Sequence, residues 1–566
     1  MTQQLSVTNQ IWRAAPMDRA SMMDLSRGLE IEPLVAHLLT CRAITGVEQG
    51  RAFLNPSVDQ LSDPLLLTDL RAAATRIEAA RRDNERVLVF GDYDVDGMAG
   101  TALLVSALRR FGIAQCSYGL PSRLVEGYGL SPDRVEAAQR DGVTLIVTVD
   151  NGINARDAAT TARRLGVDLI VTDHHALEGD LPDAVAVVDP LREPATYPGA
   201  GICGAGVAFK LAQALTGAMD DLDIVALGTV ADVVPLCGEN RVLTALGLAQ
   251  MAREPRVGLL ALASIAGVNV AEVTAEHIAF QLAPRLNAAA RLGDPLISLD
   301  LLLTDSAATA SRAAAKLHAA NERRRTIDSE IYDEAVEMIE ATLHDDERSI
   351  VLGSRDWHPG VVGIVASRIQ ETYQRPALLI AIDDDGLGRG SGRSIQGFDL
   401  VAALSACQAH LDRFGGHVAA AGIVIREESI PAFREAFEAA AVQQAPEEKP
   451  VRTLEVDALL SLSEIDGHMI RACEKLQPFG HGNPAPVFYT CGVRPMPDSV
   501  RELQGRHLRF VVKQGPASFP VIGFGMAGLL PPEATSRPID IAFTPQFNTW
   551  RGETTIQLLL KDLRLP

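Results

Sequence analysis

The sequence predicts an α/β protein in which a parallel-sheet unit and a second α/β unit are joined by a long helix and followed by a small β-barrel. The first observation is a set of β-branched runs that end in aspartate. RVLVF (86–90) leads into an acidic loop, and TLIVTVD (144–150), VDLIVTD (167–173) and AVAVVD (184–189) repeat the pattern. Helical stretches such as AGTALLVSALRRFG (99–112) separate them, the rhythm of a parallel sheet buried on both faces. The second is a helical segment over 306–340, where Leu317, Ala320, Ile327, Ile331, Ala335 and Met338 share one apolar face. Its ~35 residues span ~50 Å, enough to link two domains. The third is the change after APEEKP (445–450), a polar linker bounded by prolines, to short strands: VFYT, LRFVVK, FPVIGF, DIAFTP and TTIQLLL.

In order along the chain, residues 1–69 read as a small helical preface and 70–265 as the parallel-sheet unit, with 266–340 as a helical connector. Residues 341–445 form the second unit, with strand SIVLG (349–353), helix VGIVASRIQETY (362–373), strand ALLIAI (377–382) and the Gly-rich GLGRGSGR (386–393); residues 451–566 form the barrel. At 566 residues, three or four domains of ~150 residues are expected. Seven cysteines are scattered without a C-x-x-C pair, which excludes a zinc ribbon and a disulfide framework and fits a reducing compartment. No apolar run reaches the ~18 residues of a membrane span. The N-terminus lacks the layout of a signal peptide, so a cytoplasmic location is expected. The net charge of -20 is uneven, because residues 451–566 carry 12 basic and 11 acidic side chains. A nucleic-acid partner therefore stays open, and part of the upstream acidity is available to bind metal.

GDYDVDG (91–97) places Asp92, Asp94 and Asp96 at alternate positions of a turn after a strand, able to converge on a hard cation. An EF-hand is excluded, since loop position 12 counted from Asp92 is Leu103 rather than Glu. VTVDNG (147–152) supplies Asp150 at a second strand end, although an isolated aspartate there is more often a helix cap. VTDHH (171–175) adds Asp173, His174 and His175, and imidazole is a common Mn or Zn ligand. ALGTVADVVPL (226–236) sets Asp232 in an apolar stretch, where a charge is costly unless paired or metal-bound. Together Asp94, Asp96, Asp150, His174 and Asp232 form an oxygen-rich donor set with one nitrogen, all on one rim of one sheet. Such a set suits two Mn²⁺ or Mg²⁺ ions ~3.5–4 Å apart acting on a phosphoester, and the absence of cysteine disfavours structural zinc.

These four motifs, in this order, resemble those of the DHH phosphoesterase superfamily, and GRGSGRS (388–394) and FGGHVAAAG (414–422) resemble its companion DHHA1 domain. LNPS, SRLVEGYGLS (122–131), PRLNAAARLGD (284–294) and DWHPGVVGIVASR (356–368) narrow the resemblance to the RecJ family of bacterial single-strand-specific exonucleases. The resemblance implies a 5′→3′ exonuclease that uses Mn²⁺ or Mg²⁺ and releases 5′-mononucleotides from single-stranded DNA in recombination and repair. It implies metal ligation by Asp94, Asp96, Asp150, His174 and Asp232, with Asp150 as the bridge. Asp92, Asp173 and His175 then orient ligands or contact phosphate. Arg285 and Arg291 become candidate substrate contacts; Ala290 stands where similar sequences commonly have Gly.

Gly388, Gly390 and Gly392 would permit close backbone approach to a phosphate. Ser391 and Arg393 would supply a hydroxyl and a guanidinium fork, and a plain surface loop is the alternative for this stretch. The resemblance makes it a 5′-phosphate pocket, completed by Arg123, with His417 as a further contact. In the barrel, which the resemblance makes an OB-like single-strand-binding domain, Phe510 beside Arg509 and Trp550 beside Arg551 are candidates for stacking on bases. A monomer is expected, with a single-strand-binding protein and a RecQ-type helicase as partners implied by the resemblance. Two other readings compete. A phosphoesterase for small substrates would need no barrel, and a catalytically dead scaffold would have lost ligand acids, yet all five positions are filled.

Overall fold

Apolar runs that end in aspartate become strands whose acidic ends share one rim. The computed structural model describes residues 5–122, 127–192, 197–199, 201–342, 344, 346–444, 452–531, 537–550 and 552–565. Its larger unit comprises Ser62–Val234 and Leu246–Glu448. There, strands β1 (Arg86–Gly91), β2 (Gln115–Gly119), β3 (Leu145–Val149), β4 (Asp168–Thr172) and β5 (Ala186–Val188) form a parallel sheet in the order β2-β1-β3-β4-β5. Gly91 pairs with Val149 and Val149 with Thr172. Asp92, Asp150 and Asp173 therefore leave the sheet abreast. The chain direction across the sheet reverses between β1 and β3, the switch point where open α/β sheets bind ligands.

Strand β2 was not anticipated: QCSYG is short, polar and only partly buried, as an edge strand can be. Helix α1 (Val95–Phe111) starts four residues earlier than its apolar run, because Asp94 caps it by accepting from the Gly97 N–H at 3.1 Å. It is buried nearly throughout, and Gly112 ends it in the left-handed region at φ 102°. Helices α2 (Gly204–Thr216) and α3 (Leu222–Ala231) pack against α1.

The connector enters helix α4 (Ala283–Leu292) through a π-helical turn, Ile278–Leu282. Pro284 explains the widened turn, since it has no N–H to continue the regular ladder. Ala290 is buried inside α4, where alanine is the better helix former, so its departure from glycine costs the backbone nothing. Helix α5 (Ala307–Thr342) is the long helix joining the two sheet domains, and its Ile331, Ala335 and Ile339 pack on Ile350, Val362, Val365 and Ile369. The second sheet comprises β6 (Ile350–Ser354), β7 (Ala377–Ile382), β8 (Leu387–Arg393), β9 (Arg413–His417) and β10 (Ala420–Arg426). Its order is β9-β10-β8-β7-β6, with only β6–β7 parallel. Helix α6 (Val362–Tyr373) packs against β7 and β8.

The smaller unit comprises Met1–Leu61, Pro235–Ala245 and Lys449–Pro566. Seven strands from Ala458 to Arg564 form its sheet. An extra pairing of Phe488–Pro495 with His507–Gln514 closes five of them into a barrel. The N-terminal region is more than a helical preface. Strand Gln10–Ala14 pairs in parallel with Arg452–Val456, and Leu25, Val35, Leu38 and Leu39 share one core with Phe488, Phe510 and Phe543. Arg241 donates to the Phe53 and Leu476 carbonyls, fastening the 235–245 segment within this unit. Cutting at 445–450 alone is therefore expected to give an aggregating protein, because residues 1–61 keep an apolar face without its partner. Removing residues 1–61 as well should restore solubility, and light scattering distinguishes the two truncations. Equal solubility of both would show that the shared core is dispensable.

Candidate metal centre and phosphate pocket

Three structural devices draw the acidic motifs together. Asp96, in the first turn of α1, is buried and accepts from the Gly204 and Ala205 N–H groups at 2.6 and 2.9 Å, at the start of α2. A helix N-terminus thus holds this carboxylate. Glycines allow the approach: a Cβ at Gly204 would lie 2.5 Å from the Asp150 Cβ, and one at Gly228 would lie 2.6 Å from Asp96 Oδ1. Asp150 itself takes φ 63° after β3, a left-handed conformation that aspartate tolerates better than most residues. Asp232 is the C-cap of α3.

The DHH turn is built on Asp173. Its Oδ1 accepts from the His174 and His175 main-chain N–H groups at 2.8 and 3.2 Å and from His175 Nδ1 at 2.7 Å, and its Oδ2 accepts from Ile153 at 2.9 Å. The carboxylate of Asp173 is consumed in shaping the turn. His174 then points its Nε2 to 3.0 Å from Asp150 Oδ1 and 3.8 Å from both Asp96 Oδ2 and Asp232 Oδ2. Among the described residues, three groups of donor atoms lie within 4.8 Å of one another: Asp150, His174 and His175; Asp96, His174 and Asp232; Asp92, Asp94 and Asp150. Asp150 and His174 each belong to two of them. Asp92 and His175 thus join the ligand atoms more closely than their expected supporting roles required.

The electrostatics fit a cation. Burial, followed by the charges of Asp96, Asp94, Asp92 and Asp173, drives Asp150 well above the usual carboxylate range. Burial likewise raises Asp96, and burial with Asp96 and Asp94 raises Asp232 to about 8. Burial opposes a proton on His175, but the hydrogen bond and charge of Asp173 outweigh it and raise the group to about 9. Asp150 Oδ1 and His174 Nε2 are buried and face each other at 3.0 Å, yet neither makes a hydrogen bond, which is unfavourable for polar atoms unless a cation joins them. An oxygen-rich set with one imidazole suits Mn²⁺ or Mg²⁺.

These shifts predict a coupling of metal, pH and stability. A carboxyl raised above its unfolded value holds a proton in the fold that the unfolded chain has already lost, so stability falls as pH rises from about 4 to about 8. In chelator, the melting temperature should drop between pH 5 and pH 8. Mn²⁺ should reverse the drop, by ~2.7 kcal/mol at a hundredfold excess over Kd, and release protons at pH 7. Calorimetry in two buffers of different ionisation enthalpy measures both. A pH-independent melting temperature without proton release would refute the coupling.

The second cluster lies on the other sheet. The Gly-rich segment is not a loop but strand β8 inside the sheet. Its glycines face the core: a Cβ at Gly388 would lie 2.7 Å from Ile380 and one at Gly390 2.6 Å from Ile423. The expected phosphate approach at Gly390 is thus replaced by tight packing. Ser391 and Arg393 face the opposite side. Arg393 donates to Ser391 Oγ and to Ser367 Oγ of α6, each at 3.0 Å, and a Cβ at Gly363 in the first turn of α6 would lie 2.8 Å from Ser391 Oγ. A hydroxyl and a guanidinium thus meet a helix N-terminus, a set of anion-binding groups. His417 pairs with Ala420 and Ala420 with Arg393, so His417 lies abreast of Arg393, ~10 Å away across two strand spacings. Exposed Arg389 and Arg413 stand on the same face, two residues along from Ser391 and Gly415. Sequence reasoning passed over both, although the strand alternation Arg389-Ser391-Arg393 pointed to the first.

Arg291 donates to the Gly360 carbonyl at 3.2 Å, joining α4 to the loop before α6. Arg285 donates to the Gln281 carbonyl of the π turn, and its Nε is buried without a partner. Arg123 lies outside the described residues, as do Arg551 and the side chain of Trp550. Phe510 is 1% exposed and belongs to the barrel core, so it cannot stack on a base. Phe524, 61% exposed and edge-on to His507 at 5.3 Å, is available instead. No helix among the described residues is long and apolar enough to cross a membrane.

Comparison with known proteins agrees with this arrangement. Residues 86–229 match the DHH family N-terminal domain, 346–443 the DHHA1 domain and 456–562 the RecJ OB domain. The single-stranded-DNA-specific exonuclease RecJ of Bacillus subtilis (strain 168) is 36% identical over 556 residues, covering 97% of this chain and 70% of the relative. RecJ of Escherichia coli (strain K12) is 33% identical, over 94% of this chain and 96% of the relative. The crystal structure of RecJ in complex with Mn²⁺ from Thermus thermophilus superimposes with a TM-score of 0.84 at 34% identity, covering 100% of this chain and 80% of that one. The Mg²⁺ complex from the same organism gives 0.77 at 33% identity, covering 98% and 78%. The chain belongs to the RecJ family of single-stranded-DNA-specific exonucleases.

Proposed function

We propose that this chain degrades single-stranded DNA from the 5′ end to 5′-mononucleotides by two-metal-ion hydrolysis, in DNA recombination and repair. The observation that carries the reading is the convergence of Asp92, Asp94, Asp96, Asp150, His174, His175 and Asp232 at the switch point of the first sheet. Asp94, Asp96, Asp150, His174 and Asp232 would hold the cations, and Asp150, which belongs to two of the three donor groups, would be shared. When bound, two Mn²⁺ or Mg²⁺ ions supply charge to the attacking and leaving oxygens of a displacement at phosphorus. Asp173 fixes the turn on which both histidines stand. Asp92 supports Asp94 and Asp150. His175, held by its hydrogen bond to Asp173, contacts a phosphate oxygen of the strand.

Ser391 and Arg393 take the terminal 5′ phosphate, with Arg123 as a further donor. Arg389, Arg413 and His417 bind phosphates along the same sheet face. Arg285 and Arg291 serve the connector side, Arg291 mainly by holding α4 to the loop before α6. In the barrel, Phe524 stacks on a base and the near-neutral charge admits the strand. A monomer in the cytoplasm, working with a single-strand-binding protein and a RecQ-type helicase, is consistent with the family and with seven free cysteines.

Oligonucleotides labelled at the 5′ or 3′ end, single- or double-stranded, test the reading with each metal. Release of labelled mononucleotide from the 5′ end of single strands alone is the expected result. Loss of the 3′ label first, or equal attack on duplex, would overturn the assignment.

A further inference from the structure

Tyr128 combines exposure with constraint. Its ring is 52% exposed, yet its hydroxyl is engaged twice: it donates to the Asp150 main-chain carbonyl at 3.0 Å and lies 3.1 Å from His175 Nδ1. The ring stands edge-on to the imidazole, with centroids 5.5 Å apart at 70°. An exposed tyrosine ordinarily keeps its hydroxyl in water, where its rotamers are free. Here the backbone itself is shaped to hold it. Gly127 and Gly129 flank it at φ 85° and 76°, so the chain turns through left-handed conformations on both sides. The turn at Gly129 rests against Asn151, which donates to the Phe90 and Val149 carbonyls. Asn151 thus ties together the two strand ends that carry Asp92 and Asp150, and the Tyr128 hydroxyl joins the loop to the second of them.

The proton inventory gives the hydroxyl a task. His175 Nδ1 carries one hydrogen, and two acceptors face it: Asp173 Oδ1 at 2.7 Å and the Tyr128 oxygen at 3.1 Å. The Tyr128 hydrogen is used on the Asp150 carbonyl, so its oxygen is left to accept. Asp173 alone would hold Nδ1 at one point and leave the ring free to swing about it. The tyrosine supplies the second point. With both in place Nε2, on the far side of the ring, has one orientation.

We propose that Tyr128 is a positioning residue of the exonuclease, whose hydroxyl locks the His175 imidazole against the Asp150 main chain so that Nε2 meets the substrate phosphate in a single orientation. The proposal rests on the reading of His175 as a phosphate contact, and the experiment separates the two. Tyr128→Phe keeps the ring and removes the tether. It should lower kcat roughly ten- to a hundredfold, as expected for a misaligned group, with KM within about twofold. Mn²⁺ affinity, followed by electron paramagnetic resonance, should be unchanged. In the metal-free protein the His175 imidazole N–H proton should exchange faster with water.

The double variant Tyr128→Phe/His175→Ala should be no slower than His175→Ala, because the tyrosine acts only through the histidine. A Tyr128→Phe enzyme with normal kcat would overturn the proposal. So would a loss that multiplies the His175→Ala defect, or a parallel fall in Mn²⁺ affinity. If Tyr128→Leu raises KM while Tyr128→Phe is silent, the ring rather than the hydroxyl is used, and the tether is likewise refuted. A His175→Ala enzyme as fast as wild type would remove the histidine reading itself.

Discussion

Asp150→Asn is expected to abolish nuclease activity, by at least roughly three orders of magnitude, while leaving a folded and somewhat more stable metal-free protein. Asparagine tolerates the left-handed conformation at φ 63° and preserves the shape of the side chain. It removes a buried carboxyl that, beside Asp96, Asp94, Asp92 and Asp173, must take up a proton to fold without metal, so folding in chelator is relieved of that cost. Catalysis loses the carboxylate shared by two of the three ligand groups. Loss of one preorganised electrostatic partner at a reacting centre costs ~2.7–4 kcal/mol, and displacement of the cations adds to that. Activity, Mn²⁺ binding and melting temperature measured together decide the matter. Near-normal turnover by a folded Asp150→Asn protein with metal still bound would refute the two-metal assignment.

Arg393→Ala is expected to lower turnover on 5′-phosphorylated strands by roughly one to two orders of magnitude and on 5′-hydroxyl strands much less. Directionality requires a pocket that anchors one end, because metals cleave whichever phosphodiester reaches them. A terminal monoester carries nearly one more negative charge than an internal diester. Charge-assisted hydrogen bonds to it are worth ~1.5–3 kcal/mol each. The guanidinium is already oriented for this by Ser391 and Ser367, so little ordering is required on binding. Wild type and variant on the two substrates make a cycle. Equal losses on both would show that Arg393 does not read the terminal phosphate.

The metal centre was legible in the sequence to an unusual degree, for a physical reason. Carboxylates are costly at the ends of buried strands, so GDYDVDG, VTVDNG and VTDHH announced themselves against apolar surroundings. The candidate phosphate pocket is legible in the sequence only in part. Ser391 and Arg393 were picked out, but the neighbouring glycines were read as a phosphate cradle. Their true environment, Ile380, Ile423 and Ile425 on the far face of a strand, is supplied by the two neighbouring strands of the sheet. Phe510, a stacking candidate by sequence, lies in the core for the same reason: LRFVVK alternates, and only the closed barrel decides which side is inside.

From local pattern alone the sequence determined the α/β class, the long helix and the strand ends. All of these depend on residues close along the chain, where periodicity and the cost of buried charge act directly. The tertiary structure alone decided the rest. Strand order set Asp92, Asp150 and Asp173 abreast, the N–H groups of Gly204 and Ala205 captured Asp96, and the Gly127–Gly129 turn delivered Tyr128 to His175. It also joined residues 10–14 to 452–456, over four hundred positions apart. Such pairings follow from which surfaces bury one another, and no window of sequence contains both partners.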